Sequence, residues 1–183
     1  MTPQFAAFLA MLSHSEGTDR AASPYRCCYK FIHVIGDLRY HPAEHRPPAG
    51  LQEWKGESLK DLDKLNPKYD NEVSTAAGRF QIILRTWLDC KAQLRLNDFT
   101  AASQNDAAIL LIRRCGAFDD VNAGAIASAI AKCRNEWASL PGGSSNQPER
   151  TLTYLTDRFV AAGGVLAAIG IEPQPYKASK IAS

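Results

Sequence analysis

The chain has 183 residues, of which 45% are hydrophobic and 22% charged, and a net charge of +2. That balance excludes a disordered or fibrous chain and suffices to bury one core. The charge is too mild to argue for a nucleic-acid partner, yet it does not oppose an anionic polymer as substrate.

Five cysteines, Cys27, Cys28, Cys90, Cys115 and Cys133, are an odd number in spacings that match no zinc pattern. Cys90, Cys115 and Cys133 fall in helix-like segments and read as buried free thiols. The adjacent Cys27 and Cys28 would face opposite sides of a strand, which disfavours a bond between them, so a reducing compartment is expected. No basic n-region precedes the apolar run Phe5 to Leu12, which is too short to span a bilayer. No signal peptide and no stable membrane association are therefore expected.

Residues 3–14 read as a helix, with Thr2 as cap and Pro3 in the first turn. Phe5, Phe8, Leu9 and Leu12 form one apolar stripe. The pattern stops at Glu16-Gly17, where a carboxylate just past a buried helix suits a general acid: it is held rigidly and can face a cleft. By itself the same pair is also an ordinary helix end with a glycine cap. Asp19 reads as a surface charge or a partner to Arg20, and His14 as packing or surface.

Tyr25 to Tyr40, broken by Gly36-Asp37, suggests two short strands in a hairpin-like piece. His41 to Gly50 carries three prolines and reads as a loop. His33, His41 and His45 lack the spacing of a metal pair and read as solvated, so no metal and no cofactor are expected. Trp54 to Leu65 reads as a short helix ended by Asn66-Pro67, and Asp70 to Glu72 as a turn. Ser74 to Gly78 supplies small residues leading into a helix with Phe80, Leu84, Trp87 and Leu88 on one face. Arg79 and Gln81 would sit in its first turn beside free backbone amides, suited to sugar hydroxyls or carboxylates, or simply solvated. Further helices are predicted over Ser103 to Cys115, Asn122 to Trp137 and Glu149 to Ala162, with a flexible loop from Leu140 to Pro148. Residues 171–183 read as a flexible tail. The fold class is thus α+β and mostly helical: a helical body, a small strand-and-loop lobe over about 25–72, and a cleft between them.

Five stretches then carry a resemblance. They are Phe8-Leu9-Ala10-Met11-Leu12 leading to Ser15-Glu16-Gly17-Thr18-Asp19; Leu65-Asn66-Pro67-Lys68; Ser74-Thr75-Ala76-Ala77-Gly78-Arg79-Phe80-Gln81; Trp137-Ala138-Ser139-Leu140-Pro141-Gly142; and Arg158-Phe159-Val160-Ala161-Ala162-Gly163-Gly164. In this order, over roughly residues 5 to 166, they resemble the phage lambda endolysin family of lysozyme-like lytic transglycosylases. Residues 41–64 are longer and richer in proline and charge than that family's upper cleft lip. In the facing loop, Leu140 to Gln147, Ser and Asn replace the family's aromatic residue.

The resemblance implies one lysozyme-like catalytic domain over 1–170 that degrades bacterial peptidoglycan and lyses the host cell. The bond cut would be the β-1,4 link from N-acetylmuramic acid to N-acetylglucosamine, leaving 1,6-anhydro ends. Glu16 would act as acid, then base; Gly78, Arg79, Phe80, Gln81 and Trp137 would bind substrate. It also implies a monomer that stays in the host cytoplasm until a holin-like permeabilising protein opens the membrane. Glycoside hydrolysis usually needs two carboxylates, roughly 5–9.5 Å apart. Asp19, Glu44, Asp70 and Glu72 keep open a hydrolytic muramidase, and an inactive wall-binding module is a further alternative. A helix-turn-helix over Ser103 to Trp137 is opposed by the weak charge and the lack of a basic stripe.

Overall fold

The computed structural model describes residues 1–28, 34–44, 75–143 and 149–168. The predicted helix at Trp54 to Leu65, the turn at Asp70 to Glu72, most of the predicted lobe and the 171–183 tail lie outside the described residues.

The first helix, α1, spans Pro3–Glu16. Thr2 Oγ1 accepts the Phe5 N–H at 3.3 Å, Pro3 occupies the first turn, and Gly17 closes the helix at φ 76°. The helix therefore runs two residues further than its apolar pattern predicts, and Glu16 is its last residue rather than just past its end. Burial is also wider than one stripe: Ala7, Met11, Ser13 and Ser15 are buried along with Phe5, Phe8, Leu9 and Leu12. A helix covered on most sides is a central element, not a surface one. It packs against a C-terminal helix, Leu152–Ala161, and also touches Ala101–Arg114 and Phe118–Ala123.

In chain order the later helices are α2 (Leu84–Leu94), α3 (Ala101–Arg114), α4 (Phe118–Ala123), α5 (Ile126–Cys133) and α6 (Leu152–Ala161). The single helix predicted over Asn122 to Trp137 is two, because the chain breaks at Gly124, whose φ is 75°. Helix α6 begins later than predicted: Thr151 caps it through the Tyr154 N–H at 3.2 Å, while Glu149 is occupied with the preceding loop. Single-turn 3₁₀ helices at Thr18–Arg20 and Pro24–Arg26 follow α1. The hairpin-like reading of 25–40 meets only isolated antiparallel bridges among the described residues, Cys27 with Val34 and Cys28 with Ala77. All five cysteines are free; Cys115 is half-buried and the others are buried.

Residues 77–82 differ most from expectation. They form not a helix start but a tight turn closed by the Ala77–Ile82 bridge, with α2 starting only at Leu84. Gly78 has φ 76° and Gln81 φ 48°. A Cβ on Gly78 would lie 2.2 Å from Gln104 Oε1, so this position needs glycine for space as well as for conformation. Leu88, expected on the apolar face of α2, is 42% exposed, whereas Trp87 is fully buried.

His41 also departs from expectation: it is fully buried, not a solvated loop residue. Its Nδ1 accepts the Ala43 N–H at 3.2 Å, so its Nε2 donates to Ile82 O at 3.0 Å. The ring meets Phe99 edge-on with centroids 4.9 Å apart. Burial pushes its pKa down to about 4 from the ordinary 6.5, against the Ile82 hydrogen bond and Glu44, which favour the cation. The folded state thus binds fewer protons than the unfolded chain between these values, and stability falls as pH drops through that window. The full effect is on the order of 3 kcal/mol. His41→Gln, which keeps a donor toward Ile82, is expected to flatten the pH dependence of urea-unfolding stability between pH 6.5 and 4. An unchanged slope would refute this role.

Candidate active site

Helix α1 delivers Glu16 to its C-terminal end, and Gly17 turns the chain away so that the carboxyl borders open space. Glu16 lines a cavity of about 390 Å³ together with Gly17, Arg20, Ala21, Ala22, Ser23, Arg26, Cys27, Val34 and Arg150. The cavity is thus walled by the end of α1, the two 3₁₀ turns, the Cys27–Val34 bridge and the chain entering α6. Among the described residues Glu16 is the only acidic side chain that lines it.

Ser139, 123 residues away in sequence, donates its hydroxyl to Glu16 Oε1 at 2.6 Å. Ser15 Oγ lies 2.8 Å from Ser139 Oγ, and both serines are buried. With the Ser139 proton directed at the carboxyl, the hydrogen bond between the serines takes its proton from Ser15. A one-way chain, Ser15 to Ser139 to Glu16, results. Burial pushes the Glu16 pKa up from 4.5 to about 7, and the Ser139 hydrogen bond pulls against that rise. A carboxyl that titrates near neutrality is protonated often enough to act as an acid there, and ionised often enough to act as a base.

The turn at 77–82 is locked to this end of α1. Thr18 Oγ1 donates to Arg79 O at 2.7 Å and in turn receives the Ser13 hydroxyl at 2.8 Å. Gln104 Oε1 accepts the Arg79 N–H at 2.9 Å, and Trp137 Nε1 donates to Phe80 O at 3.2 Å. The Gly78 N–H goes to Cys27 O at 2.7 Å. The backbone amides expected to be free for a ligand are therefore used internally.

These contacts decide what the sequence-predicted binding residues can do. Gly78, Phe80 and Trp137 are buried, the two rings at 1% and 3% exposure, which leaves no ring face for a sugar to stack on. They support the site from beneath. Arg79 and Gln81 are half-buried. The Arg79 guanidinium donates to Tyr25 Oη at 2.7 Å and lies 5.5 Å from the Phe80 ring centre. Gln81 Nε2 donates back to Gly78 O at 2.9 Å. Gln81, Phe80 and Trp137 line a second hollow of about 220 Å³ rather than the one at Glu16.

The alternative carboxylates are engaged or out of view. Asp19 pairs with His14 Nδ1 at 2.9 Å, not with Arg20. Glu44 is ion-paired with Lys91: burial pushes its pKa up, but the Lys91 pair together with the His41 N–H and the Trp87 side chain holds it below the usual carboxylate range. Asp70 and Glu72 lie outside the described residues. No group of three His, Cys, Asp or Glu gathers to hold a metal among the described residues, and no helix among them is long and apolar enough to cross a membrane. His33 and His45 lie outside them.

Sequence reasoning reached Glu16 but missed Ser139, Arg20, Arg26 and Arg150. Ser139 stood inside a quoted stretch, Trp137 to Gly142, where its polar character between apolar neighbours was the available signal.

The family model described as Endolysin matches residues 6–166. The endolysin of Escherichia phage P2 is 39% identical over 170 residues, covering 88% of this chain and 94% of that protein. The endolysin of Escherichia phage lambda is 36% identical over 168 residues, covering 92% and 96%. A solved structure of bacteriophage lambda lysozyme complexed with a chitohexasaccharide matches with TM-score 0.74 at 33% identity, covering 91% of this chain and 97% of that one. Another lambda lysozyme structure matches with TM-score 0.70 at 32% identity.

A raised pKa on a buried acid has a thermodynamic cost. Between pH 4.5 and 7 the folded state holds more protons than the unfolded chain, so stability falls as pH rises and stays reduced above 7. Glu16→Gln mimics the protonated form and keeps an acceptor for Ser139. It is expected to raise thermal stability relative to the parent at pH 8, by on the order of 3 kcal/mol, and to change little at pH 4. Equal shifts at both pH values, read by calorimetry, would show that Glu16 is not held protonated.

Proposed function

The chain belongs to the Endolysin family, and from that premise we propose that it is a lytic transglycosylase with Glu16 as its one catalytic carboxylate. Its coarser activity, as a lambda lysozyme-like endolysin, is degradation of peptidoglycan. The observation that carries the finer reading is the cavity itself. It presents one carboxyl with its pKa raised to about 7, and no second carboxylate among the described residues that line it.

The steps follow from that arrangement. Ser139 donates to Oε1, so the acidic proton sits on Oε2, the oxygen left for substrate. Glu16 gives this proton to the glycosidic oxygen linking N-acetylmuramic acid to N-acetylglucosamine as the C1–O bond breaks. The muramic C6 hydroxyl attacks C1 and passes its proton to the carboxylate, which restores the acid. The products are a 1,6-anhydro-muramic end and a free N-acetylglucosamine hydroxyl, with no water consumed. An internal nucleophile removes the need for a second enzymic carboxylate and gains the advantage of proximity.

Gly78, Phe80 and Trp137 act as positioning residues through the buried turn, while half-buried Arg79 and Gln81, neither of which lines the Glu16 cavity, are assigned to glycan that extends beyond it. The lambda lysozyme structure holds a chitohexasaccharide, which supports a β-1,4-linked amino-sugar chain as the ligand here. We assign the protein a monomeric state and, in an infected cell, a cytoplasmic location until a holin-like protein admits it to the wall.

Digestion of purified peptidoglycan tests the proposal. Mass spectrometry is expected to find soluble fragments one water lighter than reducing muropeptides, and Glu16→Gln is expected to lose more than a thousandfold in turnover, as removal of an essential acid implies. Reducing muramic ends would establish a hydrolase, and near-normal turnover by Glu16→Gln would remove the residue from the chemistry.

A further inference from the structure

Among the described residues Arg39 pairs with Asp37, Lys91 with Glu44, Arg114 with Asp89 and Lys132 with Asp120. Other arginines stand outside ion-pair distance of a carboxylate there, and what distinguishes Arg20, Arg26 and Arg150 among them is that all three line the Glu16 cavity. Arg20 follows Asp19, but that carboxylate is turned to His14. Arg150 follows Glu149, whose two oxygens instead accept the Gly142 and Gly143 N–H groups at 2.9 and 3.2 Å. Arg26 Nη1 donates to two carbonyls, Ile35 O at 2.6 Å and Gly36 O at 2.8 Å, and the charge acts at longer range on Asp37, whose hydrogen bonds go to Arg39. Those carbonyls fix the group without cancelling its charge.

Arg150 is also placed by the site. Its backbone N–H donates to Ser139 O at 3.1 Å, which ties it to the residue that holds Glu16. Its guanidinium lies 5.8 Å from the Tyr154 ring centre. Three cations converging on one cavity repel one another, and both acids next to them in sequence are directed elsewhere. Such a constellation suits an anion supplied by the ligand, and arginine's planar fork suits a carboxylate in particular.

We propose that Arg20, Arg26 and Arg150 form an anion subsite that takes a carboxylate of the peptide stem borne by the muramic sugar. The inference rests on the reading above that the glycan is cut beside Glu16. It sets the ligand class: a glycan bearing acidic stem peptides, in preference to an uncharged amino-sugar chain of equal length. The muramic lactyl group is amide-linked to the stem, so the free carboxylates belong to the peptide and stand away from the scissile bond. A pocket reaching from Glu16 to Arg150 gives such a group somewhere to lie.

The test is calorimetric titration of the full chain carrying Glu16→Gln, which keeps ligands intact. The two probes are a stem-bearing peptidoglycan oligosaccharide and an uncharged chitin oligosaccharide of equal length, because removing the stem with an amidase would leave a lactyl carboxylate on each muramic sugar. The stem-bearing glycan is expected to bind more tightly. Adding Arg20→Gln or Arg150→Gln is expected to weaken it about tenfold each, as loss of a charge-assisted hydrogen bond implies, and to leave the uncharged glycan unaffected. Raised salt should erode the same preference. Equal affinity for both glycans, or equal losses on both, overturns the subsite. Arg20 is exposed, so its substitution stays informative even where Arg150→Gln disturbs the Ser139 contact. Turnover by Glu16→Gln decides the catalytic reading separately, since binding requires no chemistry.

Discussion

A carboxyl group in a poorly solvated pocket either finds a cation or keeps its proton, and at Glu16 the second solution governs the surroundings. Three guanidiniums share the cavity, yet the close partner is a neutral hydroxyl, that of Ser139 at 2.6 Å. Burial raises the pKa to about 7 in spite of it. The Glu16 end of α1 can afford this only because the helix is central: Phe8, Met11 and Leu12 are fully buried, and α6 packs along it. A surface helix would leave the same carboxyl hydrated and ionised at neutral pH.

Hydroxyls, not ions, join the parts of the site. Ser13 and Thr18 connect α1 to the turn at Arg79, and Ser15 and Ser139 connect it to the loop before α6. A buried hydroxyl both donates and accepts, so each link is satisfied without the desolvation cost of a buried charge. The turn at 77–82 is held further by Gln104 and Trp137. Chain segments far apart in sequence are in this way fixed around one carboxyl, as preorganised catalysis requires.

Much of this was legible in the sequence, and the failures share a cause. The α1 apolar spacing, its Thr2 and Pro3 start and its Gly17 stop are local signals, and the structure carries them. Glu16 was found because it sits at the end of that local pattern. The turn at 77–82 was misread as a helix start because Gly78 and Gln81 take left-handed backbone angles that depend on Gln104, Cys27 and Thr18, none of them near in sequence. For Phe80 and Trp137 the apolar helix faces point to burial, and burial is what the structure shows; the ligand role comes from the resemblance alone, which does not separate an aromatic residue that lines a cleft from one that underlies it. His41 was read as solvated because its partners, Ile82 and Phe99, are long-range. Ser139 and the three arginines become a constellation only once the fold brings them together.

The central claim, that burial keeps the proton on Glu16 near neutrality against the pull of Ser139, is most directly measured by carbon-13 NMR titration of the Glu16 side-chain carboxyl in glutamate-labelled protein. The charged groups lining its cavity are Arg20, Arg26 and Arg150, with the His14–Asp19 pair close by on the chain, so the midpoint reports their combined field as well as burial. A midpoint near 7 that moves upward in Ser139→Ala is the result this structure requires. A midpoint near the ordinary 4.5, unmoved by the serine change, would contradict it.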